Sequence, residues 1–227
     1  MNQKENRIYA PFDISIYDNL LLKIKSSYVV LDYPTNFEYI ENINFLLRHD
    51  IDTHECIESF EYLLEIDKKH NIKSGVYFRV DNKEYKLSDY KDKILKYKEA
   101  NFEIGLHTVC YVEDDYKKRF FEELNEFEKA LGFKASSFTV HGLGEYKLDN
   151  RNLFYDDVAK VGLDKYHMNF SDCCRKYMVY DKYIIDCNFD EQLQQRYIND
   201  DWFELEKSLN KEHTILIMTH PCYWTNK

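Results

Sequence analysis

No apolar run in the 227 residues approaches the roughly 18 that a membrane-spanning helix requires. Nor does an apolar stretch of signal-peptide length follow Met1–Arg7. Together these absences predict a cytoplasmic protein without a membrane span. Basic clusters are missing too. The net charge is −10, and Lys alternates with Glu along solvated helix faces instead of gathering into a stripe. That pattern argues against nucleic acid or an anionic membrane as partner. Prolines number only three, and no internal repeat or low-complexity linker interrupts the chain. The six cysteines (Cys56, Cys110, Cys173, Cys174, Cys187 and Cys222) include no C-x-x-C pair, and adjacent Cys173 and Cys174 do not fit a zinc knuckle. Reduced thiols, buried or incidental, are therefore expected.

Hydrophobic residues make up 44% of the chain and are spread evenly, which favours a globular fold over disorder. The length suits one well-cored domain over residues 1–227, with an N-terminal helical preface at 1–43 and a core at 44–224. In the core, short apolar runs alternate with longer helical patterns. Strands are expected near Asn44–His49, Ser74–Val80, Phe102–Leu106, Ser137–Val140, Tyr183–Cys187 and Thr214–Met218. Helices are expected near His54–His70, Ser88–Ala100, Asp115–Leu131, Leu153–Val161 and Trp202–Asn210, with another over Ile16–Ser26 in the preface. In the Asp115–Leu131 segment, Tyr116, Phe120, Leu124, Phe127 and Leu131 form one apolar stripe, and Gly132 ends it. This alternation predicts an α/β fold on a mainly parallel sheet, open or closed into a barrel.

Reactive side chains fall at the ends of these strands. Arg48-His49-Asp50-Ile51-Asp52 closes the first apolar run, and strand geometry points Asp50 and Asp52 to one face and Ile51 to the other. Two carboxylates there must be paired, hydrogen-bonded or used in chemistry; the plain alternative is a strand ending in an acidic turn. His107 follows Phe102–Leu106, His141 follows Ser137–Val140, and His220 follows Thr214–Thr219 with Pro221 fixing the turn. Strand C-termini of parallel α/β folds share one rim, where ligands bind. His49 faces away from Asp50 and reads as a core histidine, His54 as a neighbour of a helix cap, and His70, His167 and His213 receive no role.

Five pieces in this order resemble the polysaccharide deacetylase superfamily (NodB homology, carbohydrate esterase family 4), in the branch whose first motif reads R-H-D-[VI]-D. They are Leu47–Asp52, Gly75–Arg79, Glu103–His107, Ser137–Gly142 and Thr219–Trp224. The resemblance implies a distorted (β/α) barrel of about seven strands, a divalent metal, and hydrolysis of an N-acyl group on a sugar. It also implies Asp50 as general base, Asp52 and His107 as metal ligands, and His220 as general acid. The family's second motif, H-x-x-x-H, is broken here by Tyr111. The strand-terminal His141 is therefore taken as the third ligand, with Cys110 and His54 as alternatives. The family's R-x-P motif, which orients the base, is not visible; Arg79 or Arg151 is expected to substitute for it.

The expected metal is Zn2+, with Co2+, Mn2+, Ni2+ or Fe2+ as alternatives. It would lower the pKa of bound water from 15.7 towards about 7 and polarise the acyl oxygen. Arg79, Tyr223 and Trp224 are candidate substrate-binding residues, the two aromatics by stacking on a sugar ring, with ordinary packing as their equal alternative. The expected substrate is an acylated sugar, nucleotide- or lipid-linked, used in making surface polysaccharide. The competing expectation is an inactive barrel that binds carbohydrate or serves in assembly, for which Tyr111 is the main support. Hydrolysis of a small amide or cyclic imide is a third possibility. The sequence assigns no oligomeric state.

Overall fold

The computed structural model describes residues 12–32, 44–81, 83–144, 146–171, 182–186 and 214–225. The chain order is β1 (Phe12–Asp13), α1 (Ile14–Ser27), β2 (Val29–Val30), β3 (Asn44–Ile51), α2 (His54–Lys69) and β4 (Gly75–Phe78). Next come α3 (Lys91–Glu99), β5 (Glu103–Thr108), α4 (Tyr116–Leu131), β6 (Ser137–Val140) and α5 (Arg151–Val161). The last elements are β7 (Phe170–Ser171), β8 (Lys182–Ile185), β9 (Thr214–Thr219) and β10 (Trp224–Thr225). Cys173, Cys174, Cys187, His213 and the helix expected near Trp202–Asn210 lie outside the described residues.

The fold is α/β on a parallel sheet of order β7-β6-β5-β4-β3-β9-β8, with β2 also paired to β3. β1 and β10 form a separate parallel pair. All eight residues of β3 are buried, as expected for a central parallel strand covered on both faces. Leu46 packs with Tyr77 and Leu216 in one cluster, whereas Phe45 and Leu47 pack with α1 and Ile51 packs with α2. β3 runs two residues beyond the expected end at His49, because Arg48–Ile51 pairs in register with Gly75–Phe78. Asp50 is therefore inside the strand and Asp52 just past it.

The helices carry local signals that fix their starts. Asp13 accepts from the Ser15 amide before α1, Thr53 accepts from the Cys56 amide before α2, and Asp115 accepts from the Lys118 amide before α4. Cys56, Ile57, Phe60, Leu63 and Leu64 are the buried apolar face of α2. Gly132 ends α4 at φ +82°, a left-handed conformation that glycine adopts without a Cβ clash. The helix expected over Ser88–Ala100 divides into a 3-10 turn at Leu87–Tyr90 followed by α3.

Gly105 makes a close approach possible. A Cβ there would lie 2.3 Å from Tyr77 Cε1 and 2.6 Å from Ser137 Oγ. Gly105 pairs with Tyr77 across β4 and β5, so the missing side chain makes room for the buried Tyr77 ring. His49 occupies a buried polar network behind the sheet. Its Nδ1 is 2.6 Å from Thr219 Oγ1 and its Nε2 is 2.8 Å from Asp67 Oδ2. Asp67 also accepts from Tyr17 on α1 at 2.6 Å and from Ser74 at 2.5 Å. His49 is thus the satisfied core histidine expected from its facing.

Candidate active site

The sheet order places β6, β5, β4, β3, β9 and β8 side by side, and five of these strands bring a titratable side chain to one place. His141 follows β6, His107 is in β5, Asp50 and Asp52 come from β3, His220 follows β9, and Asp186 follows β8. In a flat sheet the ends of β3 and β6 would be about 14 Å apart, three spacings of about 4.8 Å. Instead His141 Nε2 is 3.5 Å from Asp52 Oδ2. Only a sheet curled towards its own interior brings them together, and the strands form a half-barrel with the site at its C-terminal rim.

Asp52 is the hub. Its Oδ1 is 3.2 Å from His107 Nε2, and its Oδ2 is 3.5 Å from His141 Nε2 and 3.4 Å from His220 Nε2. Burial pushes the Asp52 carboxyl up, but the imidazoles, His107 foremost, hold it well below the usual carboxylate range. Backbone and hydroxyl contacts fix the two flanking rings. The His141 amide donates to the Thr108 carbonyl at 3.0 Å, extending the β5–β6 pairing to the residue after β6. His107 Nδ1 is 2.6 Å from Thr139 Oγ1, its register partner, which leaves Nε2 facing Asp52. The His107 and His141 rings lie 5.3 Å apart at 72°.

Asp50 and His220 each have a charged partner. Arg48 Nη2 donates to Asp50 Oδ2 at 2.8 Å, with both side chains almost fully buried. Burial raises the Asp50 carboxyl, yet Arg48, followed by His107 and His220, keeps it below its ordinary value. Asp50 Oδ1 is buried with no hydrogen-bond partner among the described residues. His220 Nδ1 donates to Asp186 Oδ1 at 2.6 Å. Asp186 Oδ2 accepts from the His220 amide at 2.6 Å and from Trp224 Nε1 at 2.9 Å. Burial disfavours the imidazolium, but the Asp186 and Asp52 carboxylates outweigh it and raise the His220 pKa well above its usual value.

Several expectations are corrected by these contacts. The arginine that contacts Asp50 is neither Arg79 nor Arg151. Arg79 is engaged by Asp81 and by the Tyr146 hydroxyl, 2.7 Å away, and Arg151 by Asp149. Arg48 makes that contact because residues two apart in a strand share a face. Trp224 is not a free stacking face: it is 2% exposed, packs on Phe12 and Tyr17, and anchors Asp186. Tyr223 remains on the rim, half-buried, its ring 5.8 Å from that of His220. His54 is exposed and pairs with Glu58, and Cys110 is buried apart from the Asp52 group. Tyr111 donates to the Gly142 carbonyl at 2.6 Å and so braces the segment that carries His141. Asp186 was missed in sequence, although an acidic residue directly after Tyr183-Ile184-Ile185 is the same strand-end signal that marked His107 and His220.

One atom each from Asp52, His107 and His141 lie within 4.8 Å of one another, the group among the described residues that could hold a metal. A carboxylate with two imidazoles is a donor set that suits zinc and its first-row neighbours. His107 Nε2 is 3.2 Å from one Asp52 oxygen and His141 Nε2 is 3.5 Å from the other, so both imidazoles are close enough to share a cation with that carboxylate. The unpartnered Asp50 Oδ1 leaves a buried acceptor beside the group. The residues therefore fit a divalent cation.

No family model matches the chain. No curated protein matches it either. Among solved structures it is similar to a CE4 family pseudoenzyme from Bacillus anthracis (14% identity, TM-score 0.42, covering 78% of this chain and 56% of that one). It is also similar to a peptidoglycan deacetylase from Bacillus subtilis (13%, 0.44, 80% and 78%). A third is a de-N-acetylase from Aggregatibacter actinomycetemcomitans (9%, 0.47, 87% and 94%). The chain thus spans little more than half the length of the first. Among the described residues, no helix is long and apolar enough to cross a membrane.

Proposed function

We propose that the protein is a divalent-metal-dependent amide hydrolase that removes an N-acetyl group from a sugar. The observation that carries this reading is the convergence of three elements on one rim: the Asp52–His107–His141 group, the Arg48–Asp50 pair and the Asp186–His220 pair. Asp52, His107 and His141 would hold the cation, Zn2+ by preference, with Co2+, Mn2+, Ni2+ and Fe2+ as alternatives. When bound, it acidifies water and polarises the acyl oxygen.

The chain's own groups divide the proton work. Asp50, kept ionised by Arg48, takes a proton from the attacking water at its open Oδ1. His220 holds a proton at Nε2, sustained by Asp186 at Nδ1, and gives it to the leaving nitrogen. Trp224 fixes Asp186 and so has a positioning part. Tyr223 would flank the sugar ring and Arg79 would meet a polar substituent. The substrate class we favour is a nucleotide- or lipid-linked N-acetylated sugar used in the cytoplasm to build surface polysaccharide. The free thiols of Cys56, Cys110 and Cys222 suit a reducing compartment.

The second reading is a carbohydrate-binding or assembly barrel without turnover, supported by the use of Tyr111 as a brace instead of a ligand. The two separate in one experiment. Zinc-reconstituted protein is incubated with N-acetylated sugars, free, nucleotide-linked and lipid-linked, and released acetate is measured. The hydrolase reading expects acetate release that falls by about 10²–10⁴-fold in Asp50→Asn and in His220→Gln. Sugar binding without acetate release from metal-loaded protein would establish the second reading and end the first.

A further inference from the structure

Cys56 and Cys222 are far apart in sequence and adjacent in space. Cys56 is in the first turn of α2, with its amide 3.3 Å from the capping Thr53 Oγ1 and its side chain fully buried. Cys222 is in the 3-10 turn Pro221–Tyr223, directly after His220, and is half-buried. That turn packs against α2, and Cys222 joins the apolar cluster that contains Cys56. The Cys222 side chain lies against Cys56, and neither thiol is in a disulfide. Asp52, Asp186 and His220 are the charged groups that act on the pair.

We propose that Cys56 and Cys222 are a redox modification site that takes a low-molecular-weight disulfide and closes into an intramolecular disulfide across the rim. Sulfur contact, shared burial and one solvent-facing member are what such closure needs. Burial pushes the Cys56 thiol up, the neighbouring Cys222 draws it down, and Cys56 raises Cys222 in turn. With the two side chains adjacent, a proton can pass between the sulfurs when Cys222 reacts.

In the first step the Cys222 sulfur attacks the small disulfide as its proton passes to Cys56. The reagent's S–S bond breaks and one thiolate leaves. In the second step Cys56 gives up the proton and attacks the Cys222 sulfur, expelling the second thiolate. Two protein thiols are oxidised and one small disulfide is reduced to two thiols. The product joins the segment after Asp52 to the turn after His220.

The test uses full-length protein incubated with oxidised glutathione, followed by alkylation of remaining thiols, digestion and mass spectrometry. The expected product is a Cys56–Cys222 cross-linked peptide that disappears on treatment with dithiothreitol, with two thiols lost per chain. Cys56→Ser should stop at the mixed disulfide on Cys222. Wild-type protein in which both residues are alkylated, or in which Cys222 retains glutathione without cross-linking, would overturn the proposal. Peptide mass is read here and not turnover, so this outcome is independent of the hydrolase reading.

Discussion

Asp186→Asn isolates the carboxylate that raises the His220 pKa. The carboxylate accepts three hydrogen bonds: from His220 Nδ1 on Oδ1, and from the His220 amide and Trp224 Nε1 on Oδ2. Asn supplies one acceptor oxygen and an NH2 donor. If the oxygen stays with the amide and the indole, the NH2 faces Nδ1, which must then accept and be unprotonated. A hydrogen bond to a charged group contributes about 1.5–3 kcal/mol, and one pKa unit corresponds to about 1.36 kcal/mol. The His220 pKa should therefore fall by about 1–2 units. Proton NMR of the imidazole Cε1–H in metal-free protein reads this directly, with the resonance assigned by its loss in His220→Gln. The alkaline limb of kcat/KM should move down by the same amount, because the acid loses its proton at lower pH. An unchanged His220 midpoint in Asp186→Asn would refute the reasoning.

Arg48→Met leaves Asp50 buried without its cation, and breaking such a pair costs about 3–5 kcal/mol; urea unfolding at pH 7 should show that loss, and Arg48→Met with Asp50→Asn should recover part of it. Glu123 on α4 is buried, accepts from the Thr108 hydroxyl and is 3.3 Å from Arg119 Nε, and burial raises its pKa to about 8. The folded state thus holds a proton that the unfolded chain releases near pH 4.5, so this contribution is full below that pH and is lost as pH rises to about 8. Glu123→Gln should match wild type near pH 4.5 and exceed it at pH 8 by about 3–5 kcal/mol in chemical unfolding; equal differences at both pH values would contradict this. Gly105→Ala should destabilise by about 1–3 kcal/mol, because its methyl overlaps Tyr77 and Ser137; a smaller Tyr77 side chain should relieve the loss.

Much of the site was legible because strand periodicity is a strict rule. Alternation put Asp50 and Asp52 towards one face and His49 towards the other, and the described contacts follow it. The same rule applied one step earlier would have paired Arg48 with Asp50. It was passed over because Arg48 reads as part of a motif and not as a separate cation inside a strand. Asp186 was obscured because the strand expected over Tyr183–Cys187 encloses it, whereas the strand ends at Ile185 and leaves Asp186 at its end. The inward curl that joins β3 to β6 cannot be read from any local pattern, since it depends on pairing between distant segments. For Trp224 the sequence leaves sugar stacking and ordinary packing both open, and only the tertiary packing of Phe12 and Tyr17 shows that it is enclosed.

Zinc titration of metal-free protein, followed by anomalous diffraction at the zinc edge, bears most directly on the cation site. One ion per chain should be found, bonded to Asp52, His107 and His141, with affinity lost in Asp52→Ala and in His141→Ala. Full zinc affinity in both variants, or an ion bound elsewhere with these three residues unoccupied, would contradict the site.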